Sequence, residues 1–326
     1  MLTKKEVLAR VLIAIAVALL IVLAIVLIHK WEQDGFKSPF TDKDIDVALE
    51  YGGKKYCYRD DIDTILVMGI DKYEDEITED SYNNDQRADF LMLLVIDHAR
   101  DTYSTIQINR DTIAEMNVLG VGGKKVGTVT QQIALAHTYG SGSQDSCRNT
   151  VRAVSLLFGG LHIDRYVAMT MDAVGFVNDL VGGVTVTVED DLTVFDESLA
   201  PGAEVTLTGE QALIYVRYRG GLEDSSNLAR MKRQQQYLDA LYAQLEKFAV
   251  DHDDLSTEDA SELISYVTSD CSTSELEDLA DIFEVYKSEG IAELEGELRL
   301  GQNMEFYPDE KSIKELLVRF FCEEKK

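Results

Sequence analysis

Arg217, Arg219, Arg230, Lys232 and Arg233 fall within seventeen residues of a chain whose net charge is −28. They belong to the stretch Ala212–Leu238, ALIYVRYRGGLEDSSNLARMKRQQQYL. Arg217 and Arg219 are two apart and share a face if that piece is extended, whereas Arg230, Arg233 and Gln234 have the i, i+3, i+4 spacing that projects from one side of a helix. Forked guanidinium donors match phosphate oxygens two at a time, so the group suits a phosphate or pyrophosphate clamp. It equally suits a solvated network with the surrounding carboxylates.

A second set of charged groups recurs at the ends of apolar runs. DTILVMGID, Asp63–Asp71, is short, rich in branched residues and bounded by acids, which is the pattern of a buried strand. Gly69 gives its backbone room, and Asp71 sits at the carboxyl edge, where open α/β sheets tend to bind ligands. ADFLMLLVID, Ala88–Asp97, reads as a second buried strand carrying Asp89 at its start. Tyr103–Asn109 alternates as a third and runs into Arg110 and Asp111. Acids able to hold a divalent ion and an arginine able to hold phosphate are what a magnesium-assisted phosphoryl site requires. Singly, each acid is an ordinary turn or cap residue. Their repetition at strand ends is the signal.

The elements that must position these groups alternate between strand and helix. Gly52-Gly53 marks a two-residue hairpin; Thr130–Tyr139 and Ser146–Phe158 have helical periodicity, the second stopped by Gly159-Gly160. Tyr166–Met171 reads as a strand, Asp172–Leu180 as a helix and VTVTVED as an alternating strand. Thr208-Gly209-Glu210 opens the helix leading to Arg217, and Asn227–Phe248 forms a long helix bearing Arg230, Arg233 and Gln234. Ser256 and Ser272 resemble helix N-caps, the second in a capping box with Glu275. ELEGELRL and MEFY suggest two more strands before a last helix from Pro308 to Phe321.

Val11–Ile28 is an unbroken run of eighteen apolar residues preceded by Lys4, Lys5 and Arg10. The flanking HKWEQDG lacks a small-x-small cleavage site, so the run reads as a transmembrane anchor rather than a removed signal. Positive residues before it put the amino terminus inside and the remainder on the extracytoplasmic face of the cell membrane. The expected organisation is a cytoplasmic tail 1–10, a span 11–28, a linker 29–45, one α/β domain 46–322 and a tail 323–326. The acid excess speaks against nucleic acid, because a duplex binder needs a basic face. Residues 251–300 hold sixteen acids against Lys287 and Arg299, which is half of the net charge and reads as a solvated surface. The four cysteines form no metal-ligand spacing, and their pairing is open. His137 and His162 read as packed or surface imidazoles.

In order along the chain, TILVMGID, RADFLML, INRDT, AHTYG, GGVTVTV, LTGEQALIYVRYR and LARMKRQQQYL resemble the LytR-CpsA-Psr proteins of bacterial cell envelopes. The resemblance implies a three-layer α/β/α domain with a mixed central sheet and a hydrophobic cavity for a polyprenyl chain. It implies a phosphotransferase that moves a glycopolymer, such as teichoic acid or capsule, from an undecaprenyl-pyrophosphate-linked donor to a peptidoglycan acceptor with Mg²⁺ (or Mn²⁺). The family's site acids then fall on Asp71 and Asp89, which also hold the metal. Its pyrophosphate-binding residues fall on Arg87, Arg110, Arg217, Arg219, Arg230 and Gln234, with Arg110 in the catalytic set. Asp89 is the first choice for the base. Two departures stand out: Gln132 replaces a frequent lysine and loses or weakens a phosphate contact, and Ala88 and Phe90 replace hydroxyl residues beside Asp89. A non-catalytic lipid-pyrophosphate-binding regulator and a polyprenyl pyrophosphatase are the alternatives.

Overall fold

The computed structural model describes residues 49–71, 86–218, 227–251, 259, 262–263, 265–272, 275, 278–279, 282–283, 285–301 and 303–325. The expected span 11–28, the linker 29–45, Ser256 and Arg219 lie outside them. The described residues divide into two compact units, one drawn from Trp31–Ala168, Thr268–Asp270 and Lys287–Lys326, the other from Met169–Val267 and Cys271–Tyr286.

The first unit is a mixed α/β body. It opens with the expected hairpin, β1 (Leu49–Tyr51) and β2 (Lys54–Tyr58), whose Gly52 and Gly53 turn at φ 60 and 77. Positive φ at both positions matches the twist of the flanking strands and is open to glycine. Next come β3 (Ile62–Asp71), β4 (Arg87–Asp97) and β5 (Thr102–Gln107), which pair antiparallel in sequence order. β8 (Arg165–Thr170) and β11 (Val267–Ser269) extend the sheet beyond β3, and β12 (Lys287–Glu293) joins β5 in parallel. β4 has apolar residues on both faces, and Leu91, Leu93, Leu94, Val95 and Ile96 are all buried. That is why the central strands read as continuous apolar runs rather than alternating ones.

Two elements differ from the sequence reading. Thr130–Tyr139 is not one helix: β7 (Lys125–Gln132) pairs with β6 (Ile113–Leu119), and only α1 (Leu135–Thr138) is helical. The cluster Ile133–Ala136 imitates helical spacing, but Gln131 and Gln132 still face Ala114 and Ile113 across the hairpin. β-branched Thr128, Val129 and Thr130 were the strand signal. Residues Cys322–Glu324 also form a strand, which pairs with β2. α2 (Ser143–Leu157) ends as expected at Gly159 and Gly160, φ 70 and 91.

The second unit packs α3 (Asp172–Leu180), the hairpin β9 (Val184–Thr187) and β10 (Glu204–Leu207), α4 (Gly209–Arg217) and α5 (Asn227–Asp251) around Val184, Val186, Leu192, Leu199, Tyr215 and Tyr237. Thr208 caps α4 in a capping box with Gln211. A Cβ on Gly209 would stand 2.5 Å from the Gly175 carbonyl oxygen, so α3 and α4 cross at a point where no side chain fits.

The start of the first unit is held by Arg59, which grips Asp97 through two 2.6 Å hydrogen bonds and Asp61 at 3.0 and 3.1 Å. Burial works to raise the Asp97 pKa, but the hydrogen bonds and charge of Arg59, helped by Arg100, outweigh it and hold the carboxyl below its usual value. A depressed folded-state pKa contributes stability above the unfolded value of about 4, and this is lost as pH falls through the folded one. Asp97→Ala leaves a guanidinium whose side chain is 9% exposed with Asp61 as its remaining carboxylate. The expected cost is about 3 kcal/mol in urea unfolding at pH 7, shrinking toward pH 3.

Candidate active site

β3 and β4 keep one antiparallel register from Ile62–Asp97 to Gly69–Phe90 and then slip, so that Ile70 faces Ala88 and Asp71 faces Arg87. Asp89 is the extra residue. Such a bulge bends a strand locally and re-aims the side chain it carries. The Asp89 carboxylate lies 2.5 Å from Nη1 of Arg110. Arg110 arrives there because β5 continues past its last ladder pair, the Ile108 amide donating to the Leu91 carbonyl at 2.9 Å.

A tight turn follows. The Asn109 carbonyl accepts from the Thr112 amide and hydroxyl at 3.0 and 2.6 Å, while the Asn109 side-chain oxygen accepts from the Asp111 amide at 2.9 Å. Arg110 is 2% and Asp111 1% exposed, and Nε of Arg110 stands 3.6 Å from the Asp111 carboxylate. The guanidinium therefore lies between two carboxylates. Gln132 donates its amide nitrogen to Asp111 at 2.9 Å and to the Met304 carbonyl at 2.6 Å. Gln132, read from the sequence as a departure that weakens or loses a phosphate contact, thus braces Asp111. Ala134 joins the two sides by backbone alone, its amide donating to the Arg110 carbonyl and its carbonyl accepting from the Ala88 amide, both at 3.1 Å.

In the second unit α4 ends at Arg217, where its last carbonyls lack partners within the helix. Arg233 donates to the Tyr215 carbonyl at 2.9 Å and also to the Tyr218 carbonyl and Asp190. Gln234 donates to the Val216 carbonyl at 3.1 Å. Arg233 and Gln234 thus fix the point at which Arg217 leaves the helix. Arg230, one turn before Gln234 on α5, is 2% exposed, while Lys232 faces outward to Glu189 at 2.6 Å. Of the clustered cations, Lys232 and Arg233 follow the carboxylate-network reading.

Asp71, Arg87, Asp89 and Arg110 come together at the β3–β4–β5 end of the first unit, and Arg217, Arg230 and Gln234 at the α4–α5 contact of the second. Asp111 was read as a strand-end acid and Gln132 as a departure from the family, but neither as a brace of the buried arginine, and Ala134 was missed. The Asn-x-Asp spacing at Asn109–Asp111, a local turn signal, was the available clue to the first.

The LytR_cpsA_psr family matches residues 33–319, nearly the whole chain. The chain belongs to this family. It is 28% identical over 175 residues to the polyisoprenyl-teichoic acid–peptidoglycan teichoic acid transferase TagU of Bacillus cereus (strain AH820), covering 54% of this chain and 50% of that one. Biofilm regulatory protein A of Streptococcus mutans serotype c is 27% identical over 183 residues, 54% of this chain and 42% of that one. The chain spans about half the length of the curated relatives it matches. Its fold is that of TagT bound to LI-WTA (TM-score 0.57, 22% identity, 80% of this chain and 90% of that one) and of B. subtilis TagV (0.55, 23%, 80% and 96%).

Among the described residues no three His, Cys, Asp or Glu side chains gather as a metal cage. Magnesium, however, is usually held by one or two carboxylates together with substrate phosphates and water. Asp71 and Asp89 are a donor set of that kind. Since Arg233 spans two helix-end carbonyls and Asp190, Arg233→Lys keeps the charge but loses the fork. An expected loss of about 2 kcal/mol in chemical denaturation checks its structural role.

Proposed function

We propose that this LytR-CpsA-Psr protein is a phosphotransferase attaching an undecaprenyl-pyrophosphate-linked anionic glycopolymer to peptidoglycan. The observation that carries the reading is the buried Arg110, set between Asp89 and Asp111 at the strand ends, in a family whose matched relatives include proteins named as teichoic acid transferases. In this proposal Arg87, Arg110, Arg217, Arg219 and Arg230 neutralise the pyrophosphate of the donor. Gln234 belongs to the same set, through its hold on the carbonyl before Arg217.

The acceptor hydroxyl oxygen forms a bond to the phosphorus that carries the glycan, the bond from that phosphorus to the bridging oxygen breaks, and lipid monophosphate leaves. Asp89 takes the hydroxyl proton. The main catalytic contribution is charge stabilisation on the transferring and leaving phosphates. A Mg²⁺ or Mn²⁺ ion held by Asp71 and Asp89 supplies further neutralisation when bound. Part of the same proposal is a three-layer α/β/α domain on the extracytoplasmic face, tethered by the span 11–28, so that enzyme and lipid carrier meet in two dimensions.

The inward-facing Gln132 amide favours a second reading, a non-catalytic binder of lipid pyrophosphates that regulates wall assembly. Simple hydrolysis of a polyprenyl pyrophosphate is the third. Full-length protein given a polyprenyl-pyrophosphate glycan and Mg²⁺, with and without peptidoglycan fragments, separates them. Glycan-labelled peptidoglycan is expected, and Arg110→Ala lowers its rate by about a hundredfold or more, on the scale of losing one preorganised charge donor. Lipid phosphate released without acceptor points to hydrolysis. Binding with no release sinks the transferase.

A further inference from the structure

His137 and Thr138, on the short helix α1, aim at one backbone oxygen. Nδ1 of His137 lies 3.2 Å and the Thr138 hydroxyl 2.8 Å from the Gln86 carbonyl. A carbonyl has two acceptor lone pairs, and these two donors engage both. His137 is 2% and Thr138 6% exposed. Behind the imidazole, Nε2 faces the Cys147 sulfur at 3.9 Å, and that residue is 1% exposed. Burial pushes the imidazole down to about 4 and the thiol up to about 12, so neither group is charged at neutral pH. One arrangement of protons satisfies this chain: the thiol hydrogen faces Nε2, and Nδ1–H donates to Gln86.

Gln86 stands three residues before the bulged Asp89. Alternate residues of a strand present their backbone groups to the same edge, so the Gln86 carbonyl and the Ala88 amide point away from β3 together. The first is held by His137 and Thr138, the second by the Ala134 carbonyl at 3.1 Å. Between them Arg87 faces Asp71, and the next residue after Ala88 is the bulged Asp89. Were the register between β3 and β4 to run on without the slip, Asp71 would meet Ala88 and Ile70 would meet Asp89. A one-residue slip sends each side chain to the opposite face. Arg87 would then leave the side on which it now lies.

We propose that His137 and Thr138 are positioning residues that hold Gln86 back and so select the bulged register, in which Arg87 and Asp89 are presented to the pyrophosphate of the donor. The proposal rests on the transferase reading for its ligand and on the geometry around Gln86 for its mechanism. Neither residue touches the donor. Asparagine can present an amide N–H near the place of Nδ1, whereas leucine fills the space and donates nothing. The donor, rather than the bulk, is what the register requires.

The test uses full-length protein with [¹⁵N]histidine labelling, calorimetric binding of inorganic pyrophosphate with Mg²⁺, and steady-state transfer. Wild-type His137 is expected to show a protonated Nδ1 and an unprotonated Nε2 at pH 7. His137→Leu and Thr138→Val are expected to weaken pyrophosphate binding about fivefold and lower kcat about tenfold, while His137→Asn stays within about twofold of wild type in both. A proton on Nε2, or His137→Asn as impaired as His137→Leu, or Thr138→Val indistinguishable from wild type, overturns the proposal. Where His137→Leu fails to fold, Thr138→Val with Thr138→Ser as its rescue decides alone. Weakened pyrophosphate binding in the variants of a protein that transfers nothing leaves the clamp standing and removes the transferase. Unaltered binding and transfer in every variant of an active protein does the reverse.

Discussion

A guanidinium cannot shed its proton to escape burial, so wherever the chain hides an arginine it must also deliver oxygens to it. Arg110 and Arg233 are each 2% exposed, and each dictates its surroundings. Arg110 requires Asp89 on one side and Asp111 on the other, and Asp89 occupies its place because the β3–β4 ladder slips by one residue. Arg233 requires two carbonyls at the end of α4 and the carboxylate of Asp190. Buried ion pairs of this kind contribute little net stability compared with apolar replacements of the same volume. Each therefore has to be explained by what it positions rather than by net stability alone.

The two arginines answer to different duties. Arg233 has its nitrogens on oxygens of its own unit, in a role any helix end could ask for. Arg110 sits at the carboxyl end of a strand beside acids on the neighbouring strand, in the part of an α/β sheet where ligands collect. Sequence spacing alone cannot separate these cases. Arg230, Arg233 and Gln234 share a helical face, but only the carbonyls of the preceding helix show that Arg233 and Gln234 are turned toward the fold.

Much of the first unit was legible because its strands are long, apolar and bounded by acids. Asp71, Asp89 and Arg110 were found as strand-end residues on that ground. The bulge was not, since a register shift belongs to two strands at once and leaves no mark in either taken singly. The hairpin Ile113–Gln132 was lost for a different reason. The Ile133–Ala136 cluster, all buried or nearly so, gave a helical signal that spread backward over a strand whose residues are mostly exposed. Gln132 could be seen to lack a charge, but that it would turn to Asp111 and Met304 depends on contacts 21 and 172 residues away.

The charges of the first unit restrict what it can do unaided. In their ionised forms Asp71, Asp89 and Asp111 carry one more negative charge than Arg87 and Arg110 neutralise, and Gln132, being neutral, leaves that balance as it is. A pyrophosphate brought to these five groups meets a net repulsion, which low local dielectric would sharpen. Positive charge from elsewhere is thus a requirement of the transferase reading. In the proposal it comes from Arg217, Arg219 and Arg230 and from a divalent ion, were one held by Asp71 and Asp89. A carboxylate that takes the proton of an attacking hydroxyl works best when it is not locked to a guanidinium. Arg110 turning from Asp89 toward the incoming phosphates would free that base at the moment it is needed.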